Sequence, residues 1–392
     1  MKIAIDIRKI GKKGTGSETY FYYLVKELAG LEGSKEHEFY LLTDGRASEA
    51  KKNLGSLPEN FKIYTVTPTA KFLWTFYSLP RFLRKNFIDV LHVEYVIPFH
   101  IKKNIKIVTT IHDISFRVNP DWITKKDGFI LNSLIPPSLK RADAVIAVSD
   151  FTKKEISKYY NIAEDKIFVT HPAVDYRYYS SISKKKAYQE TTELLGKKVP
   201  FILHLSSLQP RKNVPLIISA FAKLKRGWMK NNSEWKDTKL VIVGDKNGYN
   251  YDGKIDEILK QFQDDLGENG VIITGYQPEK ILPCFYKAAL VFVFPSSYEG
   301  FGIPLLEAMA SETPVVASDI AVFREVAGDA AIYVDIDKKD KEEKLKIAIR
   351  RLLEDKKLRY EKIKSGLERK DIFSWKKLAE STLEVYKNIC KF

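Results

Sequence analysis

Short apolar runs alternate along the chain with segments of helical periodicity. Runs at 3–7, 39–42, 90–92, 106–111, 144–148 and 167–170 read as strands, with helical patterns such as 19–29 and 151–160 between them. This alternation predicts a parallel, doubly wound sheet, because parallel neighbours need a crossover and a helix supplies it. Residues 181–199 are polar, charged and weakly periodic, and read as a linker. A second α/β unit follows, with strands expected at 201–205, 240–243, 271–274, 290–294, 315–317 and 331–334. The expected organisation is a first domain over 1–180, the linker at 181–199, a second domain over 200–370 and a last helix over 371–392. In that helix Ser374 suits an N-cap, and Trp375, Leu378, Leu383 and Tyr386 share one face. Two doubly wound parallel sheets joined by a linker leave a cleft between them.

Composition narrows the class. The 392 residues suffice for two cores, and 44% hydrophobic residues is ordinary for a globular protein. No apolar stretch approaches the roughly 20 residues that cross a bilayer. The first residues, Met1-Lys2-Ile3-Ala4-Ile5-Asp6-Ile7, read as a strand rather than a signal peptide. Cys284 and Cys390 are the only cysteines, which implies no disulfide framework and fits a reducing cytoplasm. The net charge of +15 is spread along the chain. It suits anionic small molecules or an anionic membrane surface better than nucleic acid, for which no motif is present.

The densest chemistry lies at Pro295-Ser296-Ser297-Tyr298-Glu299-Gly300-Phe301-Gly302-Ile303-Pro304-Leu305-Leu306-Glu307. Glu299 is expected on the loop leaving a buried strand, where open α/β sheets bind ligands. Glu307 is expected in the first turn of the following helix, where the helix dipole favours its charge. Gly300 and Gly302 would let backbone approach a ligand. Arg211 and Lys212, in Ser206-Ser207-Leu208-Gln209-Pro210-Arg211-Lys212-Asn213, stand between a strand and a helix. A guanidinium fork, an ammonium and helix N–H groups together suit a diphosphate. His112, at the end of the 106–111 strand, is either a donor to a bound hydroxyl or a satisfied structural histidine. The glycine loop Gly11-Lys12-Lys13-Gly14-Thr15-Gly16 can cradle a ligand but lacks dinucleotide-fingerprint spacing. Ser149 reads as a helix cap. Asp335-Ile336-Asp337 reads as an acidic helix N-terminus, so no metal is expected.

The stretch from Glu299 to Glu307 resembles the signature of the retaining glycosyltransferases of family 4, whose fold is GT-B. The Pro-Arg-Lys-Asn block at 210–213 resembles the same family, and His112-Asp113-Ile114-Ser115-Phe116 resembles a subgroup rich in bacterial mannosyltransferases. The resemblance implies an acceptor-side first domain, a nucleotide-sugar-binding second domain and a last helix crossing back onto the first. It implies that Arg211 and Lys212 hold the donor pyrophosphate, that Glu299 and His112 contact the transferred sugar, and that Glu307 takes the ribose hydroxyls. Backbone near Gly244 and Tyr276 would meet the base. Gly14, Gly16, Ser206, Phe301, Gly302 and Ile303 complete the implied donor site. Ser17-Glu18-Thr19-Tyr20 departs from the family's usual Arg-Tyr pair after the glycines.

The activity implied is transfer of a hexosyl group, mannose from GDP-mannose by subgroup analogy, to a glycan or lipid-linked acceptor. It would need no cofactor or metal and would run in the cytoplasm, at the inner face of the membrane. A nucleotide-sugar epimerase of similar fold and a non-catalytic basic binding protein remain alternatives. Residues 71–85 mix aromatic and basic side chains. They read first as a buried helix with a cationic end, because Pro80 interrupts the amphipathic run, and second as a membrane contact.

Overall fold

The computed structural model describes residues 1–11, 16–266, 270–369 and 372–391. They form two units, one of Met1–Asp121, Lys125–Pro172 and Ser374–Phe392, the other of Trp122–Thr124 and Ala173–Phe373.

The first unit holds β1 (Lys2–Asp6), β2 (Glu38–Thr43), β3 (Phe61–Thr65), β4 (Val90–Glu94), β5 (Lys106–Ile111), β6 (Ala144–Ala147) and β7 (Ile167–Val169). The sheet order is β3-β2-β1-β4-β5-β6-β7, parallel at every pairing. Helices cover both faces, so the inner strands are buried almost throughout. β3 was not expected. It is an edge strand in which only Phe61 is buried and Lys62 and Thr65 are exposed, so Phe-Lys-Ile-Tyr-Thr shows no apolar run. It is held by Phe61 stacked on Phe39 at 4.1 Å and Tyr64 on Tyr40 at 5.2 Å.

The second unit holds β8 (Phe201–Leu205), β9 (Lys239–Val243), β10 (Val271–Ile273), β11 (Val291–Phe294), β12 (Val315–Ser318) and β13 (Ala331–Val334), in the order β10-β9-β8-β11-β12-β13. Its pairings are parallel too. The helix Val214–Lys230 packs Ile217, Phe221, Leu224 and Trp228 into the core on one face.

The expected linker at 181–199 is corrected. Residues Lys184–Leu195 form a helix of the second unit, with Ser183 Oγ accepting the Lys186 N–H at 3.2 Å and Gly196 closing it at a φ of 73°. Its buried positions include the small Ala187 and Thr191. So small a buried face leaves little apolar periodicity to read.

The last helix, Trp375–Cys390, packs on the helix Gly16–Gly30 of the first unit. Trp375 stacks on Tyr23 with ring centres 4.7 Å apart. Ser374 occupies the N-cap position in extended conformation, but its side chain makes no capping hydrogen bond. Ser149 does cap, accepting the Thr152 N–H at 2.9 Å. Further along, the Tyr386 hydroxyl meets Nδ1 of the fully buried His92 at 2.6 Å, while Nε2 meets Thr110 Oγ1 at 2.7 Å. Burial, helped by the charge of His112, lowers the His92 pKa to about 3, so the ring stays neutral. Replacing Tyr386 by Phe strands one buried ring nitrogen. Urea titration should show a loss of about 1–3 kcal/mol with no change in slope; an unchanged midpoint would mean that this helix does not dock here.

Candidate active site

The second sheet reverses its direction of growth between β8 and β11. The chain runs from β8 outward to β9 and β10, then returns to place β11 on the other side of β8. Loops leaving two such strands diverge and open a crevice at their carboxyl ends. The loops 206–213 and 295–302 leave from this point, and they are stapled together. The Ser297 N–H donates to the Arg211 carbonyl at 2.7 Å, and Asn213 Nδ2 donates to Ser297 Oγ at 3.2 Å. Asn213 turns the chain into the helix Val214–Lys230 at a φ of 58°, a left-handed conformation that asparagine tolerates.

Arg211, Lys212 and Glu299 converge there. Lys212 Nζ donates to Glu299 Oε1, and Arg211 Nη1 donates to Glu299 Oε2 at 3.0 Å. Arg211 Nη1 also donates to the Tyr298 carbonyl at 3.0 Å. Glu299 and Lys212 are both buried, at 8% and 7% exposure, so neither charge is stable without the other. Burial alone would raise the Glu299 pKa. The charges of Lys212 and Arg211, with the hydrogen bond from Lys212, outweigh it and bring the pKa to about 2. Two cations and one anion leave the triad with a surplus of one positive charge. Lys212 also lies 5.4 Å from the centre of the Phe294 ring.

His204, a residue that sequence reasoning passed over, supports the first loop from below. Its Nδ1 can only donate to the Val293 carbonyl, 2.9 Å away, which turns Nε2 as an acceptor toward Ser206 Oγ at 2.7 Å. Burial, aided by the Lys212 charge, lowers its pKa to about 4, so it is a neutral prop. The expected Gly244 has a steric reason: a Cβ there would lie 2.5 Å from the Ser206 carbonyl. Gly244 also bridges to Gly275, next to Tyr276, whose side chain is exposed.

Glu307 requires a correction. The helix is Ile303–Ala310 and has no acidic residue in its first turn; Glu307 lies one turn in. Two tyrosines that the sequence did not flag hold it. Tyr179 OH donates to Oε1 at 2.7 Å and Tyr286 OH to Oε2 at 2.8 Å. Although Glu307 is half-buried overall, its carboxylate lies among these protein groups. Burial pushes its pKa up and the two tyrosines pull it partly back. Burial, reinforced by Glu307, holds both tyrosines far above their ordinary value, so they stay hydrogen-bond donors. Each carboxylate oxygen keeps lone pairs for further donors.

Gly302 opens this helix at a φ of 110°, and a Cβ would meet the Phe323 ring at 3.0 Å. Phe301 is buried and packs edge-on against Phe373 at 5.3 Å, so its side chain serves the core and only its backbone is available to a ligand. Ile303 is half-buried.

The remaining expected residues belong to the first unit, whose sheet reverses between β1 and β4; the glycines follow β1, and His112 follows β5, the neighbour of β4. Gly16 opens the helix Gly16–Gly30 and is exposed, whereas Gly14 lies outside the described residues. His112 Nε2 lies 3.3 Å from Glu94 Oε1 without hydrogen-bond geometry. Lys9 Nζ lies 3.4 Å from the other Glu94 oxygen. Burial would raise the Glu94 pKa, but His112, Lys9 and Ser17 bring it to about 2. Glu94 was also missed. Its signal is an acid ending the apolar run that begins at Val90. Asp335 and Asp337 do not start a helix, as the sequence suggested: Asp335 Oδ1 accepts the Asp337 N–H at 3.0 Å in a turn, and the helix begins later at Lys341.

Two parallel α/β units, each with a reversal in its sheet order, agree with a fold of GT-B type. Residues 187–369 match the family described as Glycosyl transferases group 1, and residues 14–178 match Glycosyltransferase Family 4. The chain is 30% identical over 346 residues to the O-antigen chain mannosyltransferase RfbU of Salmonella typhimurium, covering 85% of this chain and 86% of that protein. It is 32% identical over 285 residues to O-antigen chain mannosyltransferase B of Escherichia coli, covering 71% and 70%. Among solved structures, a sucrose-phosphate synthase from Thermosynechococcus elongatus superposes with a TM-score of 0.74 at 18% identity, covering 99% of this chain and 98% of that one. The chain belongs to glycosyltransferase family 4 and is a hexosyltransferase. Membership decides against the epimerase and the non-catalytic binding protein.

The triad carries a pH signature. Glu299 has a folded pKa of about 2, below its ordinary 4.5, so its contribution is fully present above pH 4.5 and is lost as the pH falls toward 2. Glu299→Gln should lower stability by roughly 3 kcal/mol at neutral pH. The gap between variant and wild type should close through that acid window in urea titrations; a gap independent of pH would refute the ionised triad.

Proposed function

We propose that the chain moves a hexosyl group, with retention of configuration, from a nucleoside-diphosphate sugar to a hydroxyl of a glycan or lipid-linked saccharide. The donor proposed is GDP-mannose, in keeping with the mannosyltransferase names of the two relatives. The observation that carries the reading is the Arg211–Lys212–Glu299 triad at the reversal of the second sheet.

When the sugar–phosphate bond breaks, the departing diphosphate gains negative charge and the sugar becomes oxocarbenium-like. The triad's surplus positive charge, fixed in advance, stabilises the leaving group without reorganisation. N–H groups at the start of the helix Val214–Lys230 add to it. Glu299 stays ionised, and its remaining lone pairs accept sugar hydroxyls and support the developing cation. Glu307, aligned by Tyr179 and Tyr286, accepts the ribose hydroxyls. His112 donates to a hydroxyl of the transferred sugar. Backbone at Gly244, Tyr276, Gly302 and Ile303, with Ser206, completes the donor site. With two side-chain cations at the diphosphate, no divalent metal is required. We place the reaction in the cytoplasm, at the inner face of the membrane.

Thermal melting against a panel of nucleotide sugars tests this reading. GDP-mannose should raise the melting temperature, since a ligand at about 100 times its Kd adds about 2.7 kcal/mol. Stabilisation by a uridine sugar alone would overturn the donor, and stabilisation by none would overturn the class of donor. In isothermal titration, Glu307→Ala should weaken nucleotide binding about tenfold, near the worth of one charged hydrogen bond; unaltered affinity would remove its ribose role.

A further inference from the structure

Residues 71–86 are helical almost throughout: Lys71–Leu73 and Leu79–Asn86 are α-helical, and Trp74–Ser78 between them is a π-helix. The Leu79 N–H donates to the Trp74 carbonyl, five residues back. Pro80, which lacks an N–H, directly follows the π turn, whose wider backbone lets the helix run on past it. It therefore does not interrupt the segment, contrary to the expectation from sequence.

One face of this segment is buried, through Trp74, Ser78, Leu79 and Leu83, with the Arg8 guanidinium 3.6 Å above the Trp74 ring. The other face is aromatic and exposed: Phe72 is 57% exposed, Leu73 53% and Tyr77 49%. Phe76 joins Phe72 to Phe99 in a stacked ladder, with ring centres at 6.4 and 4.9 Å. Phe99, 58% exposed, lies on the loop after β4, which carries the exposed Lys102 and Lys103. Arg81, Arg84 and Lys85 extend the exposed cationic side of the helical segment. Residues 66–88 and 95–112 contain no aspartate or glutamate.

We propose that this face docks the first unit onto an anionic lipid bilayer, with Phe72, Leu73 and Phe99 entering the interface and the flanking cations meeting lipid phosphates. Exposed large apolar rings would be wasted on a nucleic-acid backbone, whereas rings rimmed by lysine and arginine match the two layers of a membrane surface. Among the described residues no helix is long and apolar enough to cross a membrane, so the contact proposed is interfacial. The inference rests on the membrane placement proposed above and not on the transfer chemistry.

Vesicle co-sedimentation of the full chain tests it, with phosphatidylcholine alone and with an equimolar mixture of phosphatidylcholine and phosphatidylglycerol. The wild type should bind the anionic vesicles at least ~10-fold more tightly, and less so as salt rises. The variant Phe72→Ser/Leu73→Ser/Phe99→Ser should lose about tenfold in binding at an unchanged melting temperature. Arg81→Glu/Lys102→Glu/Lys103→Glu should erase the anionic preference. Wild type that ignores anionic vesicles, or variants of either kind that bind as it does, would overturn the proposal and leave the transfer reading standing. A dimer in light scattering that the serine variant abolishes would also overturn it, because the face would then belong to a second copy.

Discussion

A buried carboxylate cannot stay ionised without close positive charge, and the second unit is organised around that constraint. Glu299 is compensated by Lys212 and Arg211, and both cations reach it only because β8 and β11 are neighbours. The same contacts fix the loops: Arg211 binds the Tyr298 carbonyl and receives the Ser297 N–H. Charge fixed in advance is what a leaving diphosphate requires. Structure and chemistry therefore share one set of contacts.

The neutral groups around the triad matter for the same reason. His204 is held uncharged beneath the loop, so it adds no competing cation. Tyr179 and Tyr286 remain protonated and point Glu307 into place from two different helices. In the first unit Glu94 repeats the logic on a smaller scale, kept ionised by His112 and Lys9 at the other sheet's reversal.

Much of this fold was legible because parallel strands buried on both faces leave continuous apolar runs, as in Val-Phe-Val-Phe of β11. What is partly exposed or small was not legible. β3 hid at a sheet edge, and Lys184–Leu195 hid behind a face of small residues. The glutamate block and the Arg211–Lys212 pair stood out locally. Their union did not, since residues 87 and 88 positions apart meet only through sheet order. The tyrosine clamp on Glu307 was invisible for the same reason. The expected dipole stabilisation of that residue failed because the helix begins at Ile303, too far upstream for Glu307 to lie in the first turn.

The central claim is that Lys212, balanced by Glu299, binds the second phosphate of a nucleoside diphosphate. Isothermal titration of GDP and GMP against wild type and Lys212→Met tests it most directly. Wild type should prefer GDP, and the variant should lose most of that preference while keeping its affinity for GMP. A variant that retains the wild-type ratio of the two affinities would contradict the account.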